Sequence, residues 1–234
     1  MRAPRPGDIA AMTVWLGDFS VSKNMSRVPH PYSEEDAEEF VAGLGPRRGG
    51  RHHTFSILRK LDGQFLGGAG LHADDAGGFE MGYWLGKPFW GQGFATETAR
   101  RLVAYAFADL GMESLHAGWF HDNPASGHVL AKLGARHNGS AMRESRARGA
   151  MVLCHDMLLT RADFCETGGL EQGRRCGFST LTNAPSERGV VAALPAGRIT
   201  RIWRALRRTS AKWRCGSPSS GGSQHPDRLP LSAA

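Results

Sequence analysis

Two glycines one residue apart, just ahead of a helix-like run, are the part of this sequence best suited to hold a ligand. In Trp90-Gly91-Gln92-Gly93-Phe94-Ala95-Thr96 the glycines open backbone angles that other residues avoid, so successive N–H groups can converge on one point. The run that follows carries Ala95, Ala99, Leu102, Val103, Ala106, Phe107 and Leu110 at helical spacing, and Gly111 ends it. A helix beginning there adds about half a positive charge at its N-terminus. The chemistry on offer is a cradle for a phosphate or pyrophosphate. The same pattern also serves as a plain tight entry into a helix, so alone it does not name a ligand. It does narrow the choice. There is no Gly-Lys-Ser/Thr and no third glycine to complete a dinucleotide fingerprint, so a nucleoside triphosphate or NAD is not the expected ligand.

Other reactive side chains allow two readings each. Asn123-Pro124-Ala125-Ser126 reads as the start of a helix, where Asn123 or Ser126 could cap first-turn amides or face a ligand. Glu80 stands at a strand mouth, where it could pair with an arginine or move a proton. His52, His53, His72, His116, His121 and His128 show no i, i+4 pairing, so no metal site is expected; His121 could line an acceptor channel. The four cysteines, Cys154, Cys165, Cys176 and Cys215, form no C-x-x-C pair, and a disulfide framework is not expected.

The elements that must position these groups follow from periodicity. Asp8 can cap a helix bearing Ile9, Met12, Trp15 and Leu16. Ser33 can cap a second, with acidic residues in its first turn and Ala37, Phe40, Val41 and Leu44 as its apolar stripe. Period-two alternation then predicts strands over 54–61 and 64–72, joined through Asp62-Gly63 as a tight hairpin, and a third over 79–85. After the helix at 95–110 come a strand around 115–119, a helix over 125–133, and strands near 136–142 and 150–160. Trp15, Phe40, Phe107 and Trp119 read as core. Tyr83 and Trp84 fall on opposite faces of their strand, so at most one can meet a ligand in the cradle. The order predicts a single mixed α/β (α+β) domain ending near residue 165.

Several of these motifs together carry a resemblance. Glu80-Met81-Gly82-Tyr83-Trp84-Leu85, the turn at 90–96 with Glu97, Asn123-Pro124-Ala125-Ser126 and Leu130-Ala131-Lys132-Leu133-Gly134 come in the order and spacing of the GNAT superfamily of N-acetyltransferases. With Pro29-His30-Pro31-Tyr32 ahead of the Ser33 helix, the chain looks most like the RimJ/RimL branch of ribosomal-protein N-terminal acetyltransferases. The resemblance covers about residues 5–165. It implies acetyl-CoA as acyl donor, held between two splayed parallel strands of a mostly antiparallel sheet, here 79–85 and 115–121. It further implies that Trp90, Gly91, Gln92, Gly93, Phe94, Ala95 and Thr96 hold the pyrophosphate, and that main-chain N–H near Trp84 and Leu85 binds the acetyl carbonyl. Asn123 would position cofactor or substrate. Transfer would be direct, from thioester to amine, with no covalent enzyme intermediate and no metal. Glu80 would take the ammonium proton through water, and burial beside Trp84 would make it a stronger base. Many relatives protonate the leaving thiolate with a tyrosine four residues beyond Ser126; Leu130 stands there, and the resemblance to the RimJ/RimL branch implies that Ser126 would take the role. The family's first strand is missing before Arg2-Ala3-Pro4, which predicts an uncovered sheet edge.

Charge separates the chain into two parts. Residues 1–165 hold 18 basic and 18 acidic side chains, whereas 166–234 hold 11 basic against 4 acidic, so the whole excess of +7 lies in the tail. That tail is rich in Gly, Ser, Arg and Pro and is expected to be disordered or non-native. Its segment 198–214 sets Ile199, Ile202, Trp203 and Leu206 among arginines, the pattern of a basic amphipathic helix. Nucleic acid or a membrane could bind only there, and the rival reading is an inactive GNAT-like scaffold that presents this segment. With no spanning segment and no signal peptide legible, the expected compartment is the cytoplasm. The expected partners are acetyl-CoA and a primary amine, a protein N-terminus or a small molecule, with a homodimer possible.

Overall fold

The computed structural model describes residues 1–44, 52–74 and 77–169. The basic segment 198–214 falls outside them, as do Cys176 and Cys215.

The period-two stretches become β1 (His52–Leu58), β2 (Phe65–Ala73), β3 (Phe79–Leu85), β4 (Ser114–Phe120), β5 (Arg136–Ser145) and β6 (Ala150–Thr160). They form one sheet in the order β1-β2-β3-β4-β6-β5, antiparallel throughout except between β3 and β4. This is the mixed, mostly antiparallel sheet expected, with a single parallel pair at its centre. β2 and β3 stay in register from Gly67–Leu85 to Ala73–Phe79, but β3 and β4 share one paired position, Glu80 with His116. Beyond it the two strands part, and a gap opens toward their C-terminal ends.

Helices cover both faces. α4 (Phe94–Ala104) continues into one π-helical turn, Tyr105–Asp109, and with α5 (Pro124–Lys132) it covers one face. There Leu102, Val103, Phe107, Leu130 and Leu133 bury completely or nearly so with Met81 and Leu85 of β3 and Phe164 of α6 (Arg161–Glu166). Each such side chain contributes roughly 1.5–3 kcal/mol of transfer free energy. The other face carries α1 (Ile9–Gly17), α2 (Phe19–Ser22) and α3 (Glu34–Gly43), which bury Met12, Leu16, Val21 and Ala37 with Phe65, while Trp84 packs at the margin. α6 spans the position where the domain was expected to end.

Four expectations are corrected. Asp8 does not cap α1; it is buried, taken bidentately by Arg2 at 2.7 Å and bonded by Ser56 Oγ, so it ties the N-terminus to β1. Burial pushes its carboxyl up, but those bonds and the Arg5 amide outweigh that and hold it below the usual value. The sheet edge is covered at one point, since Arg2 and Ser56 exchange backbone bonds of 3.2 and 2.8 Å. The β1–β2 connection is wider than a two-residue hairpin: it closes between Arg59 and Gln64, with Gly63 at φ 73° and a register shift at Ile57/Leu58. Phe40, expected in the core, is 42% exposed because α3 buries only Ala37 fully.

Candidate active site

The site begins at the entry to α4. Gly91 and Gly93 take φ of 72° and 84°, in the left-handed region that side chains with a Cβ resist. Gly93 is the N-cap residue, and with no side chain it offers no acceptor to the helix. The first intrahelical bond runs from Glu97 N–H to the Gly93 carbonyl, so the preceding first-turn amides have no partner in the helix itself. The space above is open: a Cβ built on Gly91 or Gly93 would meet nothing within 4 Å. The turn is held from behind. Gln92 Nε2 donates to the Pro88 carbonyl at 2.7 Å, and Trp90 Nε1 donates to the Leu85 carbonyl at 2.8 Å. Trp90 thus links the turn to the end of β3. This cradle suits an anionic group: first-turn amides with no partner in the helix and no capping side chain, beside open volume, fit a pyrophosphate.

The gap between β3 and β4 lies beside it. Gly86 donates its amide to Leu66 of β2, and strand alternation therefore sends the Leu85 amide the other way, into the gap. Tyr83, two residues earlier and on the α4/α5 face, spans the gap to α5, its hydroxyl 3.1 Å from Ser126 Oγ and 3.4 Å from the Ser126 carbonyl. Burial pushes the Tyr83 phenol up to about 12, against a smaller opposite pull from Ser126. Neither Asn123 nor Ser126 caps α5 with its side chain, although Asn123 occupies the N-cap. Both remain half-buried. Leu130 is 2% exposed in the main core, as an apolar residue should be.

On the opposite face sits Glu80, with Gly82 and Trp84. Its carboxylate accepts a 2.7 Å bond from Arg143 Nη1, and Arg143 also pairs with Asp156 of β6. Arg143 projects from β5 and reaches Glu80 by lying over Gly118 of β4, where a Cβ would come within 3.4 Å of Nη1 and 2.9 Å of Cys154 Sγ. The environment foreseen for Glu80, burial beside Trp84, is replaced by this ion pair. Trp84 turns instead onto Phe65, ring centroids 5.9 Å apart, with its indole nitrogen 2.7 Å from where a Gly68 Cβ would lie. His72 stands opposite Glu80 across the β2–β3 pair, and burial, with Arg27 and His52 adding, lowers it to about 4.

The structure therefore brings Tyr83, Leu85, Trp90, the 91–96 turn, Asn123 and Ser126 to one side of the sheet and places Glu80 and Trp84 on the other, with the gap between β3 and β4 joining the two sides. Tyr83 and Arg143 are the residues that reading the sequence missed. Strand parity placed Tyr83 opposite Trp84 but could not supply Ser126 as its partner, and nothing local marks Arg143, which acts across three strands. His121 is exposed just past β4. Among the described residues no three His, Cys, Asp or Glu side chains gather as a metal site, Cys154 and Cys165 are free thiols, and no helix is long and apolar enough to cross a membrane.

Comparison with known proteins bears on this arrangement. Residues 1–136 match the family described as the acetyltransferase (GNAT) domain. The uncharacterized N-acetyltransferase p20 of Bacillus licheniformis is 28% identical over 161 residues, 67% of this chain and 89% of that protein. YoaA of Bacillus subtilis, another uncharacterized N-acetyltransferase, is 33% identical over 104 residues, 44% of this chain and 57% of its own. Among solved structures, RimJ of Mycobacterium smegmatis in complex with CoA-disulfide has a TM-score of 0.63 at 22% identity, covering 73% of this chain and 85% of that one. Spermidine N-acetyltransferase of Vibrio cholerae, in complex with CoA and spermine, has a TM-score of 0.61 at 17% identity and covers 70% of this chain and 96% of that one. At such identities the structures speak for the fold, while the family match covers more than half of the sequence, across β1 to α5. With a splayed strand pair beside an uncapped glycine turn and this family match, the chain belongs to the GNAT acetyltransferase family.

Proposed function

We propose that this acetyltransferase moves the acetyl group of acetyl-CoA directly to a primary amine, within a domain spanning about residues 5–165. The carrying observation is the entry to α4, where two left-handed glycines leave first-turn amides open to an anion beside the gap. Backbone N–H groups of residues 91–96 hold the pyrophosphate. The Leu85 amide donates to the thioester carbonyl oxygen, where negative charge develops as the amine attacks. Asn123 orients the donor at the mouth of α5.

The acceptor comes from the other face. Glu80, fixed by Arg143, takes the ammonium proton through a water, and Ser126 protonates the sulfur as the C–S bond breaks. Glu80, Arg143 and Asp156 are two carboxylates to one guanidinium, a balance that favours a cationic amine. The protein N-terminus expected from the sequence resemblance is an amine of this kind, and so is the spermine bound to the Vibrio cholerae spermidine N-acetyltransferase. We place the reaction in the cytoplasm, the compartment that supplies the acyl donor.

The test is a thermal titration of acetyl-CoA on the full chain and on residues 1–169, followed by an amine panel of N-terminal peptides and polyamines. Saturation near 100 times Kd stabilises the fold by about 2.7 kcal/mol, a rise of several degrees in Tm. The same rise in both forms, with turnover of at least one amine, supports the reading. A cooperative melt that acetyl-CoA does not move overturns it.

A further inference from the structure

The hydroxyl pair that crosses from β3 to α5 gives Tyr83 a part that the roles above leave unused. Tyr83 leaves β3 on the same side as Leu85, whose amide enters the gap, and its hydroxyl crosses to Ser126 in the first turn of α5. It makes this crossing where β3 and β4 have ceased to pair. We propose that Tyr83 is a positioning residue for Ser126: its phenol donates to the serine oxygen and thereby turns the serine's own proton toward the sulfur that leaves as thiolate. This rests on the acetyl-transfer reading.

Two arguments support the direction of the bond, and the serine oxygen at 3.1 Å is a nearer acceptor for the phenol than the Ser126 carbonyl at 3.4 Å. A phenol is a stronger acid than an aliphatic hydroxyl, so in the 3.1 Å pair the tyrosine is the natural donor. Burial keeps it protonated through the neutral range. Accepting that bond makes the serine hydroxyl a better donor in turn. Without it the Ser126 hydroxyl rotates among staggered positions, since neither a cap nor any other side chain holds it among the described contacts. Leu130, buried in the core, offers no second hydroxyl.

The step balances. As the new C–N bond forms and the C–S bond breaks, the electron pair stays on sulfur. Sulfur takes the Ser126 proton, the serine oxygen takes the phenol proton, and the phenolate regains a proton from water as the thiol departs. The proton lost by the amine passes to water on the Glu80 side.

The experiment is steady-state acetyl transfer by the full chain as wild type, Tyr83→Phe, Ser126→Ala and the double variant, with melting curves for each. Tyr83→Phe removes one oxygen from a packed ring and retains the fold. Its kcat is expected to fall about tenfold with KM for acetyl-CoA within about twofold, the loss of one hydrogen bond felt only in the transition state. Ser126→Ala falls further, and the double variant matches Ser126→Ala, because Tyr83 acts through the serine. A Tyr83→Phe kcat within about twofold of wild type, or an equal drop with and without Ser126, overturns the inference. Wild type that neither binds acetyl-CoA nor acetylates any amine overturns the acetyl-transfer reading itself.

Discussion

The N-termini of α3 and α4 are built from opposite choices. At α3, Ser33 Oγ accepts the Asp36 amide at 3.1 Å, the Asp36 carboxylate accepts the Ser33 amide at 2.9 Å, and Glu34, Glu35 and Asp36 fill the first turn. That helix end has a reciprocal cap and a favourable first-turn charge, both supplied by its own chain. At α4, glycines at φ 72° and 84° replace the capping side chain, no carboxylate reaches back, and the amides stay open. One start is closed by its own side chains, and the other is left without them, which on the proposed function is where an anion binds.

This contrast can be broken most severely at Gly93. Gly93→Asp gives α4 a carboxylate of its own, as α3 has; no atom stands within 4 Å of the new Cβ, but φ of 84° strains any side chain there, so the melting curve is followed beside the binding and Gly93→Ala serves as the control for that strain. The Kd for acetyl-CoA by calorimetry is expected to rise about a hundredfold, close to 2.7 kcal/mol. An unchanged Kd would show that the open amides are not the ligand's.

A smaller effect is expected on the other face. Gly118→Ala puts a Cβ 2.9 Å from Cys154 Sγ and 3.4 Å from Arg143 Nη1, which displaces the arm that reaches Glu80. The kcat/KM for the amine should fall about tenfold while the Kd for acetyl-CoA stays put, at a stability cost of about 1–3 kcal/mol. Loss of acetyl-CoA binding instead would merge the two faces into one site.

Ser33→Ala sharpens the comparison from the closed side. Losing the cap costs about 1 kcal/mol, roughly 2–4 °C in Tm for a domain of this size, with acetyl-CoA binding unaffected. The smallest effect concerns pH. Burial, with Arg27 and His52, lowers His72 to about 4 from 6.5, so the folded state resists a proton that the unfolded chain accepts. Stability is therefore full above about 6.5, falls as the pH drops toward 4, and the slope should shrink in His72→Gln when Tm is followed across that window. Tyr83, pushed up to about 12, keeps the gap side free of such titration at neutral pH.

Much of this was legible beforehand, and the reasons are local. The Ser33 box, the 79–85 strand, the helix after Gly93 and the Asn123-Pro124 start depend on neighbours within a few residues, so spacing and residue type reveal them. Asp8 was misread because its type fits a cap, while its partner Ser56 is 48 residues away. The Asp62-Gly63 pair signalled a turn correctly and its width wrongly, since the register shift at Ile57/Leu58 belongs to the paired strands. Phe40 kept its helical spacing and lost its burial because α3 meets the core over too narrow a face.

The sequence by itself determined the elements, the glycine turn and the motifs that carry the resemblance to the acetyltransferase family. Tertiary structure alone decided their company. Glu80 drew Arg143 from 63 residues away across a strand made bare by Gly118, and Tyr83 drew Ser126 from 43 residues away across strands that had stopped pairing. Such partners are chosen by strand order and by the faces that packing presents, quantities set by the whole buried core, and no local window of sequence contains them.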